Sequence, residues 1–571
     1  MQKFIENHSG NILKNLARIA PGLPSLLNYR RSYLHHDFIA GVSVAAIALP
    51  VGVAYAELAG FDPVVGLYSS ILPLVAYALF GTSRQLIVGP DAATCAMVAA
   101  AVAPLAAGNA EHYASLSVML AFCSGLFCII AGFFRLGALA DFLSRPILVG
   151  FLNGVAISIV LGQIGKLFGF DIESGRIIPR LVEFLSRLEL THLPTLAVGA
   201  ASFALLGLSK RFLPRMPAAL LVMIITALCV ALFGLDETGV KVIGAVRSGL
   251  PQLELPSISS GAVEDIVIGS AGIALISFSS AMVTARSFAA RNRYDINVDR
   301  EFTALGAANI ASAFSQGFAV SGADSRTAMN DASGGKTQIA GLVAAATIAA
   351  VLMFFTTPLS YVPIAALGAV LVMAAVGLFD FNTMREIYRY DRIEFTLCIF
   401  TMLGVATVGM IKAILITVVL SVLRFVQLVA RPNAIQLGTV DGMTGFHDLE
   451  DHPEANTIPG LLLFRFEGPI VFFNATYFKQ KLLDMTRKDT RWVVIDTYPI
   501  TRVDSSGYYI LLEVIERLSQ KGIRFCMAGR QARIRSRMKS MGLDKQEPGV
   551  RIFPNMQAAA DAYKNETPDQ R

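Results

Sequence analysis

Two hexads in this chain share the form G-x-D-x-x-T: Gly89-Pro90-Asp91-Ala92-Ala93-Thr94 and Gly322-Ala323-Asp324-Ser325-Arg326-Thr327. Both contain the residue types that start helices. Pro90 has no N–H to leave unpaired and suits a first turn, and an Asp or Ser beside it can accept from orphan amides. Each hexad interrupts a hydrophobic run, and matched interruptions in two halves of a membrane protein mark where a polar ligand is held. If the two helix starts face each other, unpaired N–H donors and two positive dipole ends converge where water is scarce, which makes an anion site. Arg326 adds a full charge at a depth where charge is costly and points to function, with paired donors suited to an oxyanion. A plainer reading has Asp91 and Asp324 as N-caps, with Arg326 paired to one of them. A carboxylate beside an anion repels it, so either aspartate is then protonated or holds a coupling cation.

These residues need a bilayer around them. Of 571 residues, 54% are hydrophobic and 16% charged, too much apolar surface to hide in water-soluble domains. Fourteen apolar runs lie between residues 38 and 430, each read against the roughly 20 residues a span needs. With the basic N-terminus in the cytoplasm, the loops bearing Arg135, Lys210 to Arg215, Arg286 to Arg300 and Arg385 to Arg392 all fall inside, as the positive-inside rule asks. An even count returns the C-terminus to the cytoplasm. The hexads fall in the third and tenth runs, an offset of seven, and an odd number of spans per repeat inserts the second copy upside down. The expected fold is a polytopic α-helical membrane protein with 14 spans in two inverted 7-span repeats.

Other classes are excluded. The net charge is +6, and the basic residues sit in short loops rather than in stripes interleaved with aromatics, which argues against nucleic acid. The six cysteines have no CxxC or Cys-His spacing and read as free thiols. No Ser-His-Asp set, phosphate loop or metal cluster has credible spacing, so neither an enzyme nor a metal site is expected. The first 36 residues lack the apolar core and cleavage site of a signal peptide. From Leu461 short strands (Leu461 to Phe466, Val493 to Asp496, Arg524 to Ala528) alternate with helices (Phe478 to Thr486, Ser506 to Gln520, Arg530 to Met541, Met556 to Lys564). This is an α/β layer with a mixed sheet. The expected organisation is a cytosolic segment 1–36, a transmembrane domain 37–432, a linker 433–458 and a soluble domain 459–571.

Several motifs resemble the sulfate permease family, also called solute carrier family 26. They include Pro50-Val51-Gly52-Val53-Ala54-Tyr55-Ala56, Gly66-Leu67-Tyr68-Ser69-Ser70 and Ala78-Leu79-Phe80-Gly81-Thr82-Ser83-Arg84 followed by Val88-Gly89-Pro90. Tyr294 to Glu301 with Ala304 to Ile310, and Gly334-Gly335-Lys336-Thr337-Gln338, extend the resemblance over nearly the whole chain. It implies core and gate domains, usually as a homodimer, with substrate held between the third and tenth half-helices; the expected location is a bacterial inner membrane. Carried onto this chain, the pocket comprises Tyr55, the amides around Ala92 and Ala93, and Ser325 with Arg326. Two departures stand out. Val51 replaces a glutamine found in many members, and Ser280 stands where many bacterial and plant members have a carboxylate proposed to carry a proton or sodium ion. Ser277 to Ser280 then pack helices and bond back to carbonyls. A coupled cation therefore falls to Asp91 or Asp324, and without one the protein is an exchanger or uniporter. The substrate class is a small inorganic or organic anion, ranked with sulfate first on resemblance. Bicarbonate, a dicarboxylate, an anion channel and a membrane anion sensor stay open.

Gly468 to Ala475 and Asp504-Ser505-Ser506-Gly507 resemble the STAS domain, shared with anti-sigma factor antagonists in which a serine of that turn is phosphorylated. Ser505 and Ser506 are accordingly regulatory candidates, or else helix N-caps. The basic cluster Arg530, Arg533, Arg535, Arg537 and Lys539 reads as a solvated helix face or as a contact for an acidic cytosolic protein.

Overall fold

A computed structural model describes residues 20–137, 144–172, 174, 177–213, 216–254, 263–529 and 550–567. The chain divides into two compact units, Met1–Ser421 and Val422–Arg571.

The first unit is helical. Its first half holds α1 (Leu34–Leu58), α2 (Pro63–Tyr68), α3 (Leu72–Phe80), the strand β1 (Val88–Gly89), α4 (Ala92–Ala106), α5 (Ala110–Phe133), α6 (Arg145–Phe168), α7 (Ile177–Ser186), α8 (Leu193–Phe212) and α9 (Ala218–Phe233). The second half holds α10 (Val263–Arg291), α11 (Val298–Phe314), the strand β2 (Ser321–Gly322), α12 (Asp324–Ala332), α13 (Ile339–Phe354), α14 (Ile364–Leu378), α15 (Phe381–Tyr390), α16 (Arg392–Thr407) and α17 (Met410–Ala430). Among the described residues, seven segments are long and apolar enough to cross a bilayer, with α2–α3 and α14–α15 each counted as one. The apolar helices α4, α8, α9 and α13 are shorter. With α11, α12 and α16 these make the fourteen expected segments.

Two bundles emerge from the packing. In one, α1 lies on α13, α5 on α11, and α10 on α4 and α5; in the other, α6 lies on α14 and α16, and α8 on α14. Lipid removes the hydrophobic drive between helices, so close approach rests on small residues. A Cβ on Gly125 of α5 would meet Gly306 O of α11 at 2.7 Å, and one on Gly306 would meet Gly125 O at 2.6 Å.

Two of the fourteen apolar runs, at 64–80 and 302–319, are broken. The run at 64–80 divides between Tyr68 and Leu72, where Pro73 cannot donate to the Ser69 carbonyl. The run at 302–319 ends its helix at Phe314. Beyond it, Asn309 bonds Val320 N (2.9 Å) and Val320 O (3.0 Å), and Ser312 Oγ donates to Phe318 O (2.6 Å), so side chains replace the helix's own partners.

Among the described residues, the second unit is a six-stranded sheet with helices on both faces. Its elements are β3 (Ala434–Gly438), β4 (His447–Asp448), β5 (Leu461–Phe466), α18 (Ala475–Met485), β6 (Trp492–Asp496), α19 (Ser505–Gln520), β7 (Arg524–Ala528), β8 (Arg551–Phe553) and α20 (Met556–Glu566). Strand order is β4-β3-β5-β6-β7-β8. The strands from β5 to β8 run parallel, while β3 is antiparallel to both β4 and β5. The mixed α/β layer is as expected, but 433–458 is not a free linker. It supplies β3 and β4, because Ile435 and Leu437 alternate into the core and are buried there. The expected helix over Arg530 to Met541, with its cluster Arg530, Arg533, Arg535, Arg537 and Lys539, lies outside the described residues.

Candidate functional site

The two hexads meet. β1 and β2 pair antiparallel, Val88 opposite Gly322 and Gly89 opposite Ser321, and Ala323 N donates to Ile87 O at 2.8 Å. This short ladder sets the starts of α4 and α12 beside each other. In α4 the first intrahelical bond described at its start runs from Cys95 N to Asp91 O, and in α12 from Thr327 N to Ala323 O. The amides of Ala92, Ala93 and Thr94, and those of Asp324, Ser325 and Arg326, precede these bonds and have no intrahelical acceptor.

Arg326 spans the two starts. It is 1% exposed, one of its terminal nitrogens donates to the Pro90 carbonyl, and its buried Nε has no hydrogen-bond partner. Gly89 makes room for it, since a Cβ there would sit 2.6 Å from Arg326 Nη1. The guanidinium thus bonds a backbone carbonyl of the opposite half-helix rather than either aspartate. Tyr55, Asp91, Asp324 and Cys95 lie close enough to Arg326 or to one another for their charges to interact. Tyr55, Ala92 and Ala93 are buried, while Ser325 and Asp324 are exposed on the first turn of α12.

The capping alternative is corrected at Asp324. Asp91 occupies the N-cap of α4 with its carboxylate beside the Ala93 and Thr94 amides, though no well-aligned capping bond closes. The N-cap of α12 is Ala323, and Asp324 instead hydrogen-bonds the Thr284 hydroxyl of α10. In the serine run of α10, Ser279 bonds back to Leu275 O (2.7 Å) and packs as expected. Ser277 does more: its hydroxyl lies 3.1 Å from Thr94 Oγ1, and its carbonyl accepts from Ser321 Oγ at 2.9 Å. Ser280 is half-buried, and its carbonyl accepts from Thr284 Oγ1 at 3.2 Å.

Two buried carboxylates escaped the sequence reading. Glu301, at the start of α11, accepts from Tyr77 Oη (2.5 Å), Thr82 N (2.7 Å) and Ser83 N (3.0 Å), which fixes the loop leading to β1. Asp37, at the start of α1, accepts from Lys336 N (2.6 Å), Thr337 N (3.1 Å) and Thr337 Oγ1 (2.7 Å), which fixes the loop between α12 and α13. Gln338 Nε2 donates to Ser83 O and Leu86 O, both at 2.9 Å, and Asn330 Nδ2 to Gln85 O at 2.9 Å, tying the two loops together. The motifs Thr82-Ser83 and Lys336-Thr337-Gln338 carried the signal: hydroxyls and amides concentrated beside apolar spans.

At the turn before α19, Asp504 takes the N-cap and accepts from Gly507 N (2.8 Å) and Phe472 N (2.9 Å). The cap is therefore Asp504, which corrects the expectation of Ser505 or Ser506; both serines are exposed on the first turn. Burial opposes ionisation of Asp504, yet these N–H donors, the Ser506 N–H and Arg502 hold its carboxyl below the ordinary carboxylate range.

The bundle architecture and paired half-helices define a multi-spanning membrane transporter rather than an enzyme. Residues 34–401 match the sulfate permease family and residues 452–559 the STAS domain. A probable sulfate transporter of Mycobacterium tuberculosis is 36% identical over 548 residues, covering 95% of this chain and 98% of the relative. The chain therefore belongs to the sulfate permease family. Its fold superposes on the structure of SLC26A9 with a TM-score of 0.90 at 20% identity, covering 98% and 95% of the two chains. The transmembrane domain of a cyanobacterial bicarbonate transporter superposes with a TM-score of 0.60 at 21% identity, covering 69% of this chain and 98% of the other.

Proposed function

We propose that this chain moves sulfate across a membrane by alternating access, binding it between the starts of α4 and α12. One observation carries the reading: two half-helix starts, whose first amides have no intrahelical acceptor, converge on a buried arginine whose Nε has no partner. The amides of Ala92 and Ala93, Ser325 and the Arg326 fork offer several donors to a tetrahedral oxyanion, with Tyr55 as the facing wall. Relatives named as sulfate transporters support sulfate over other anions. We assign the coupling role to Asp324, whose carboxylate faces Thr284 of α10 and could carry a proton or sodium ion in place of the acid that Ser280 lacks. We further read the protein as a homodimer of the bacterial inner membrane with both termini cytoplasmic. In that reading the STAS domain, with Ser505 and Ser506 exposed, serves as the regulatory face.

The test is radiolabelled anion uptake into proteoliposomes under imposed proton and sodium gradients. Saturable sulfate uptake that one gradient accelerates, and that Arg326→Ala abolishes, is the expected result. Preference for bicarbonate or a dicarboxylate would replace the substrate, flux that never saturates would make the protein a channel, and binding without flux would make it a sensor. Undiminished uptake by Arg326→Ala would remove the proposed site.

A further inference from the structure

A second group of charges lies away from the hexads. Glu57, in the last turn of α1, meets Lys166, in the last turn of α6, with Nζ 2.8 Å from Oε1. Helix α1 belongs to the bundle that holds the hexads and α6 to the other bundle, so this pair joins the two. A cavity of about 540 Å³ opens beside it, lined by Ala96, Ala99 and Ala103 of α4, by Gln163 and Lys166 of α6, and by Arg180 of α7. Ala96 is one helical turn from Ala92, so the cavity abuts the candidate anion site.

The cavity wall is built for negative charge. Arg180 Nη1 lies 3.4 Å from where a Cβ on Gly162 would sit, one turn before Lys166, which puts two cations on one side. Arg180 Nε donates to Ser174 O at 2.9 Å, and the Glu183 carboxylate lies near enough for its charge to act on the guanidinium. Among the described lining residues Glu57 is the one carboxylate, set against Lys166 and Arg180. Its Oε2 is buried without a partner, as is Oε1 of Gln163, a side chain only 3% exposed. An amide can turn either end toward a ligand, and Gln163 turned by half a rotation offers donors.

We propose that this cavity is an anteroom subsite for the transported anion, in which the anion competes with the Glu57 carboxylate for Lys166 while Arg180 holds its other side. The inference rests on the anion-transport reading above. A dianion gives Lys166 everything the carboxylate gives it, with more charge. When the anion takes Lys166, Glu57 is released and the link between the bundles opens, so arrival of substrate favours the rearrangement that admits it.

The test is the concentration dependence of sulfate uptake by the full chain in proteoliposomes, for Glu57→Gln, Lys166→Gln and Arg180→Gln, with Arg326→Ala alongside. Lys166→Gln and Arg180→Gln are expected to raise KM by about three- to tenfold with little change in maximal rate, and raised inert salt should shrink the difference. Glu57→Gln is expected to lower KM. The opposite signs are diagnostic, because a pair that only straps the bundles together would respond alike to losing either partner. Arg180 is outside the pair and reports on the subsite even if breaking the pair unsettles the fold. Shifts of the same sign for Glu57→Gln and Lys166→Gln, or an unchanged KM in all three variants while Arg326→Ala abolishes uptake, would overturn the subsite and leave the central site standing. Full uptake by Arg326→Ala together with opposite KM shifts would do the reverse.

Discussion

Helix α19 in the C-terminal unit and helices α4 and α12 in the membrane unit all start at an aspartate-bearing turn, yet they treat their first amides differently. At α19, Asp504 accepts from Gly507 N and also from Phe472 N of a neighbouring loop, so that end is closed by the protein itself. At α4, Asp91 stands in the capping position with its carboxylate beside the Ala93 and Thr94 amides but closes no well-aligned bond, and at α12 the capping position is an alanine. An uncapped helix end in water is satisfied by solvent, but one inside a membrane protein must find another partner. On the proposed reading, the first amides of α4 and α12, beside a buried guanidinium, are kept for a ligand, so that the capped end serves stability and the other two serve function.

Three substitutions probe that contrast. The largest effect is expected at Gly89→Ala, whose methyl would fall 2.6 Å from Arg326 Nη1 and push the guanidinium out of register. Misplacement on this scale should lower sulfate uptake by about 10²-fold while leaving thermal unfolding of the C-terminal unit unchanged. Next comes Glu301→Ala, which strips the shared acceptor from Tyr77, Thr82 and Ser83. Loss of a buried, multiply bonded carboxylate should destabilise the membrane unit by about 3 kcal/mol, read as a lower unfolding temperature in detergent, and should slow uptake because β1 loses its anchor. The smallest is Asp504→Ala, expected to cost the C-terminal unit about 1 kcal/mol with uptake unaffected. Because the folded-state value of Asp504 is depressed, its stabilisation is complete above about pH 4, the range of a free aspartate. It is lost as pH falls through the lower folded value. Wild type and Asp504→Ala should therefore converge in stability under acid. A capped end that proved dispensable to stability, or an open end that tolerated Gly89→Ala, would erase the distinction between the two kinds of helix start.

Much of this arrangement is legible in the residues. The fourteen segments follow from apolar runs, and the repeated G-x-D-x-x-T spacing points to the half-helix starts. Arg326 stands out because a guanidinium set among apolar spans is too costly to keep unless it holds a ligand or a counter-charge. The partners are not legible. Periodicity cannot show that Val88-Gly89 and Ser321-Gly322, far apart in the chain, form a two-residue ladder, nor that Arg326 donates to the Pro90 carbonyl. Glu301 and Asp37 sit at span edges, where a carboxylate normally faces water, so their burial against distant loops leaves no periodic trace. The strand β3 is lost in the presumed linker because five residues of mixed polarity resemble a loop until β5 lies beside them. In the turn at Asp504, three adjacent residues can all cap, and the choice of the aspartate depends on a second donor, Phe472 N, from another loop.

On the proposed reading, one anion is held between the starts of α4 and α12 by their first amides and Arg326. Equilibrium binding of radiolabelled sulfate to the purified full chain in detergent, by scintillation proximity, tests it without requiring transport. Saturable binding by wild type that falls to background in Arg326→Ala, with both proteins eluting as folded species, is the predicted result. Wild-type affinity for sulfate in Arg326→Ala would contradict it.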